Sequence, residues 1–249
     1  MFWYVLLFAV GGSVLSLAGG MALLLREEWA RRWSGTLSAL AAGTLIGTAF
    51  LDLLPEASER GGAAAALASA LGGFLLFFII EQVIVLFHAR EATPHHHDHV
   101  RAATTPLIVA GDTMHNFIDG IVIGGTFAAG VPHGITTAIA IAAHEIPQEI
   151  GDFGVLLANG MSRRRVVLVN LASAAATVAG ALLAFAAAAL LLPLLPYFLA
   201  ATAGFFVYIA AADLIPQMQH AALHHRGRAL LDVLFLLGGA AVPLIVRHG

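Results

Sequence analysis

Apolar stretches of about 20 residues, the length that crosses a hydrocarbon core, follow one another along the whole of this chain. They fall near 2–25, 34–55, 66–88, 104–129, 133–158, 164–191, 196–218 and 228–246. Lipid offers the backbone no hydrogen-bond partners, so a continuous apolar run of this length is committed to an α-helix that pairs its own amides and carbonyls. The composition agrees: 59% of residues are hydrophobic and 11% are charged, against about 25% charged in a soluble domain. The expected fold is an all-α polytopic membrane protein, one domain over 1–249, with eight transmembrane helices.

The twelve cationic residues are all arginines, and ten of them lie in the connections between helices 1 and 2, 3 and 4, 5 and 6, and 7 and 8: Arg26, Arg31, Arg32, Arg90, Arg101, Arg163, Arg164, Arg165, Arg226 and Arg228. By the positive-inside rule these connections are cytoplasmic and both termini extracytoplasmic. The arginines form no basic face, which excludes a nucleic-acid partner. Met1 begins an apolar run with no preceding positive residue and no small-residue cleavage site, so the run reads as a first membrane helix. The chain has no cysteine; disulfides and thiolate metal sites are excluded, leaving His, Asp, Glu, Asn and Gln as metal donors.

Helices 2 and 7 share a pattern. A-G-T-L-I-G-T-A-F-L-D-L-L-P-E (42–56) and A-G-F-F-V-Y-I-A-A-A-D-L-I-P-Q (203–217) both read A-G, eight residues, then D-L-[LI]-P-[EQ]. With helix 2 running outward and helix 7 inward, the match implies an inverted repeat of helices 1–3 and 6–8, with helices 4 and 5 between them, an arrangement characteristic of transporters. Asp52 and Asp213 close the paired helices. They read equally as cation attractors near an entrance and exit and as ordinary Asp-before-Pro boundaries.

The polar residues concentrate in helices 4 and 5. His115 and Asp119 are four apart and share a face, with Asn116 beside them and Asp112 one turn earlier. On helix 5, His144 and Gln148 are likewise paired, and Glu145, Glu149 and Asp152 form an adjoining stripe. A charged side chain at mid-membrane costs at least ~2.5–3.5 kcal/mol, and these two spans hold five carboxylates with no Lys or Arg. Protons, water or a bound cation must neutralise them, and a divalent metal does so most economically. Histidine with carboxylates suits Zn²⁺, Fe²⁺ or Mn²⁺ and not Cu⁺; the donor set leaves the choice among the three open. Pro147 frees the carbonyl of Ala143, which implies a kinked helix and a further oxygen donor. The competing reading, polar residues that merely bond helix to helix, suits Asn116 or Asp112 singly better than a cluster of acids without a basic partner.

H-N-F-I-D-G (115–120) followed by H-E-I-P-Q-E-I-G-D-F (144–153) resembles the paired signature of the ZIP (Zrt/Irt-like) divalent-metal transporters, in the branch that includes the LIV-1 group and bacterial relatives. D-L-L-P-E of helix 2, the start of helix 3 and the helix 7 pattern extend the likeness. The resemblance implies a 3+2+3 arrangement, a two-metal centre between helices 4 and 5, and metal carried toward the cytoplasm by alternating access. It also implies that helices 1, 4, 5 and 6 move as a unit past helices 2, 3, 7 and 8. One ion would use His115, Asp119, His144 and Gln148; a second would use Asn116, Glu145 and a bridging Asp119. Glu149 belongs to the candidate metal residues less clearly, and packing or relay is open for it and Asp152. Gln148 stands where that branch usually has His, and 173–178 offers only Thr177 where some relatives place a Glu.

The implied substrate is Zn²⁺, with Fe²⁺, Mn²⁺ and Cd²⁺ as alternatives, and no organic cofactor. The implied partners are these ions and the lipid bilayer, with a homodimer left open. Exclusive use of Arg over Lys, with Ala- and Gly-rich usage, suits the plasma membrane of a GC-rich bacterium. The connection over 88–103 contains H-A-R-E-A-T-P-H-H-H-D-H (88–99), a His-rich cytoplasmic segment able to hold metal weakly; His220, His224 and His225 add imidazoles on the same face. A zinc metalloprotease is the chief rival, but its H-E-x-x-H helix requires a second His where Gln148 stands. A channel or exporter of the same ions is the other. Glu81 in helix 3 has no partner identifiable from sequence.

Overall fold

The computed structural model describes residues 1–91, 97–158, 160–224 and 228–248. Among them there is no strand. The helices are α1 (Phe2–Leu25), α2 (Glu27–Thr48), α3 (Leu54–Gly61), α4 (Ala63–Glu91), α5 (His97–Ala129), α6 (Val131–Ala158), α7 (Arg163–Ala186), α8 (Ala188–Leu191), α9 (Leu195–Ile209), α10 (Ile215–His224) and α11 (Ala229–His248). Six helical stretches among the described residues are long and apolar enough to cross a membrane: Phe2–Ala22, Gly35–Gly61, Ala63–Val83, Arg163–Ala186, Leu192–Ala221 and Ala229–Val246. The helices expected as fourth and fifth, α5 and α6, carry the acidic cluster instead. Exposed Leu67, Leu71 and Leu76 on α4, and Leu230, Leu237 and Ile245 on α11, give the molecule an apolar exterior that suits lipid and not water.

Two boundaries differ from the sequence reading in an informative way. The D-L-L-P and D-L-I-P patterns do not end their helices. The chain widens into a π turn over Ala49–Leu53, which joins α2 to α3, and again over Ala210–Leu214, which joins α9 to α10. These two turns occupy equivalent places in the repeated pattern. A proline ring clashes with the carbonyl four residues back in an α-helix, and the wider π register lets the helix pass Pro55 and Pro216 without stopping. The stretch expected over 164–191 breaks instead at Ala187, between α7 and α8. The expected His-rich connection is shorter than 88–103, because α4 reaches Glu91 and α5 starts at His97; its centre, 92–96, and His225 lie outside the described residues.

The helices pack through small residues. Gly43 of α2 lies against α11, where a Cβ would come 2.0 Å from the carbonyl of Leu236, and Gly204 of α9 lies against α4, 1.8 Å from that of Ala70. These are the two glycines of the repeated A-G, so its function is to let backbones touch. The closest helix partners are α2 with α11, α4 with α9, α5 with α7 and α1 with α6, and α5 also packs on α6. Leu45, Leu53, Phe127, Leu199 and Phe206 fill one shared core between them.

Candidate metal centre

Gly120, the last residue of H-N-F-I-D-G, positions the centre from the outside. A Cβ there would meet the Thr177 carbonyl at 2.0 Å, so only glycine lets α5 approach α7 this closely. That approach brings Asn116 to α7. Its Oδ1 accepts from the Thr177 hydroxyl at 2.8 Å, while its Nδ2 donates to Asp112 Oδ1 at 3.0 Å and to Ser173 Oγ at 3.3 Å.

One turn along, α5 presents His115 and Asp119 to His144 and Glu145 of α6. One ligand atom from each of the four lies within 4.8 Å of the others. His115 Nε2 is 3.2 Å from His144 Nε2, and Asp119 Oδ2 is 3.2 Å from His144 Nε2 and 3.7 Å from His115 Nε2. Glu145 Oε1 is 3.9 Å from His144 Nε2. Asp119 and His144 are completely buried. His144 Nδ1 faces the Ala140 carbonyl at 3.3 Å; in the tautomer that donates to this carbonyl, the Nε2 lone pair is turned into the cluster. Both Asp119 carboxylate oxygens and Glu145 Oε1 are buried without a hydrogen-bond partner.

This is a surplus of acceptors converging on one point, expensive to bury unless something positive sits among them. Two imidazole nitrogens with carboxylate oxygens are the donor set of a borderline divalent ion. A small cavity adjoins the cluster, bounded by α1, α5, α6 and α7 and lined by Ser13, Ser16, Asn116, Glu145 and Thr177.

The remaining sequence-nominated residues flank the four. Gln148 is half-buried one turn beyond His144, and Glu149 is 1% exposed with both carboxylate oxygens unpartnered. Several contacts were not readable from sequence. The ring of His115 is held edge-on by Phe77 of α4, 5.7 Å away, and tilted against Phe205 of α9, 6.2 Å away. Glu81 has a partner after all, the Tyr208 hydroxyl of α9. Asp52 is completely buried beneath the start of α6, where His133 Nδ1 approaches Asp52 Oδ1 at 2.8 Å, His133 Nε2 approaches Glu56 Oε2 at 3.4 Å, and Thr136 donates to Asp52 Oδ2. His133 stands in G-V-P-H-G (130–134), and no local sequence pattern pairs it with Asp52.

A family model described as "ZIP Zinc transporter" matches residues 2–107 and 101–247. Among curated proteins, the chain is 38% identical over 147 residues to Zinc transporter ZIP10 of Mus musculus, covering 56% of the chain and 18% of that protein. It is 33% identical over 145 residues to Zinc transporter foi of Drosophila melanogaster, covering 58% and 20%, and 40% identical over 112 residues to Zinc transporter ZIP4 of Homo sapiens, covering 45% and 17%. The matched region is thus a fifth or less of each animal relative's length.

Proposed function

The chain belongs to the ZIP zinc transporter family, and from that premise we propose that it carries a divalent cation, zinc first among candidates, across a membrane toward the cytoplasm through the α5–α6 centre. The observation that carries this reading is the convergence of His115, Asp119, His144 and Glu145 within 4.8 Å, in two apolar stretches, 104–129 and 133–158, that hold no Lys or Arg. A carrier has to replace an ion's hydration shell in mid-membrane, and these atoms do so without closing around it. The cavity beside Asn116 and Glu145 supports a second ion there. Asn116 Oδ1 keeps one lone pair after accepting from Thr177.

Alternating access is supported by the packing. The eight spans are α1, α2 with α3, α4, α5, α6, α7, α9 with α10, and α11, and exchanging the first three for the last three, with α5 for α6, turns the α2–α11 contact into α9–α4 and the α1–α6 contact into α7–α5. Equivalent π turns in the second and seventh spans support the same 3+2+3 inverted repeat. On this reading α1, α5, α6 and α7 form one group that holds the ion, and α2, α3, α4, α9, α10 and α11 the other. Arginine placement supports a cytoplasmic α4–α5 connection. Composition favours a bacterial plasma membrane, although the relatives named above are animal.

Uptake of Zn²⁺, Fe²⁺, Mn²⁺ and Cd²⁺ into proteoliposomes tests the proposal. His115→Ala should abolish uptake, and Gln148→His, by adding an imidazole one turn from His144, should shift preference toward zinc. Undiminished zinc flux through His115→Ala would overturn it.

A further inference from the structure

The two imidazoles of the centre are held differently. His144 Nδ1 faces the Ala140 carbonyl of its own helix at 3.3 Å, the usual way in which a metal-ligating imidazole is oriented through its second nitrogen. The ring of His115 rests instead on aromatic rings from two other helices. Phe77 of α4 meets it edge-on at 5.7 Å and 80°, and Phe205 of α9 lies tilted against it at 6.2 Å and 51°.

These rings belong to a larger stack. Phe77 and Phe205 are 4.3 Å apart, and Tyr208 stands edge-on to Phe77 at 5.5 Å and to Phe74 at 5.2 Å. The Tyr208 hydroxyl donates to Glu81 Oε2. Phe77 and Glu81 are four apart on α4, and Phe205 and Tyr208 three apart on α9, so each helix turns both of its residues to one face. The two helices also touch at the backbone: a Cβ on Gly73 would lie 2.0 Å from the Ala201 carbonyl, and one on Gly204 1.8 Å from that of Ala70. Placing a carboxylate in this apolar span is expensive, and packing α4 on α9 does not require one.

Resting on the transport reading above, we propose that Phe77, Phe205, Tyr208 and Glu81 are positioning residues for zinc, a rigid seat on α4 and α9 that holds His115 with its Nε2 turned to His144 and Asp119. That nitrogen lies 3.2 Å from His144 Nε2 and 3.7 Å from Asp119 Oδ2. Aromatic pairs favour particular ring orientations, and the hydrogen bond to Glu81 keeps Tyr208, and through it Phe77, from turning away. Zinc gains more from an imidazole ligand than manganese does. With His115 free to swing, the centre keeps its carboxylates and loses part of its preference for zinc. The ligand belongs to α5 and the seat to α4 and α9, so the grip on zinc depends on how α5 sits against that pair.

The purified full chain is titrated with Zn²⁺ and, separately, with Mn²⁺, each against a competing chelator. Phe77→Leu keeps an apolar side chain and removes the ring; it should weaken zinc binding about tenfold and manganese binding by less than about twofold. Tyr208→Phe keeps the stack and removes the hydrogen bond, and should weaken zinc binding about threefold. In a His115→Ala background neither substitution should change zinc affinity by more than about twofold, because the ring they position is gone. If Phe77→Leu does not fold, Phe205→Leu removes the neighbouring ring and carries the same expectations. Unchanged zinc affinity in the Phe77 and Phe205 variants, equal losses of zinc and manganese, or a loss that persists without His115 overturns the proposal. Zinc affinity unchanged by His115→Ala itself would instead count against the transport centre.

Discussion

Asp119 makes two opposite demands on the protein. Its two oxygens are buried without partners, which costs stability in the absence of cation, and in the proposed transport role its charge would draw the cation in. Asp119→Asn separates them. The amide is nearly isosteric, removes the charge, and can donate toward the imidazole nitrogen 3.2 Å away. The metal-free variant should be more stable than wild type by about 1–3 kcal/mol, the usual cost of a buried unsatisfied group. Wild type should gain about 2.7 kcal/mol at a zinc concentration 100 times its dissociation constant, and the variant almost none at the same concentration. Thermal melts with and without zinc measure both signs; a variant that is less stable without metal and equally stabilised by zinc would contradict this account. At this scale the sequence was most readable. His115 with Asp119, and His144 with Glu145, announce themselves because helical spacing fixes their face and the missing basic residues leave their charge unexplained. The aromatic brace on His115 and the Tyr208–Glu81 hydrogen bond were unreadable, since each joins segments more than 35 residues apart by contacts that no local period encodes.

Between helices, backbone approach sets the geometry. Gly120 admits no Cβ because the obstacle, the Thr177 carbonyl at 2.0 Å, is backbone and cannot rotate away. Gly120→Ala should force α5 from α7, break the Asn116–Thr177 hydrogen bond, and cost about 1–3 kcal/mol or more by overpacking. Gly11→Ala on α1 meets nothing within 4 Å and should be neutral or stabilising by up to about 1 kcal/mol from helix propensity. Melting temperatures and zinc uptake of the pair check the contrast, and equal behaviour would remove the role given to the α5–α7 contact. The repeat was legible as a repeat, whereas its meaning was not. A-G followed by D-L-[LI]-P looks like a helix that ends, and only the paired π turns reveal a helix that widens around a proline and continues. Hydrophobic periodicity cannot separate those outcomes, because one extra residue in a turn shifts the apolar face without interrupting it. The same limit hid the break at Ala187, where an unrelieved apolar run hides a change of direction.

At the scale of the whole molecule α2 packs along α6, and one cluster ties the two at the end near Gly130. His133 of α6 faces Asp52 with one ring nitrogen, at 2.8 Å, and Glu56 with the other, at 3.4 Å. Only an imidazolium donates from both nitrogens, so in that form the ring ties α6 to Asp52 and, in α3, to Glu56 at once. If transport requires the two groups to part at this end, the tie holds the closed arrangement and its loss should favour the open one. The absence of native cysteine allows a direct test with one reporter, Thr137→Cys, at a fully buried position on α6. A membrane-impermeant thiol reagent should label this reporter slowly from the Gly130 side. His133→Ala should raise the rate about tenfold, corresponding to a shift of about 1.4 kcal/mol between the two arrangements. His133→Gln, which keeps one donor, should fall between them. Labelling unchanged by either substitution would mean that the seam opens elsewhere, and the α1–α2 and α4–α5 contacts would then be the places to look for the closing interaction.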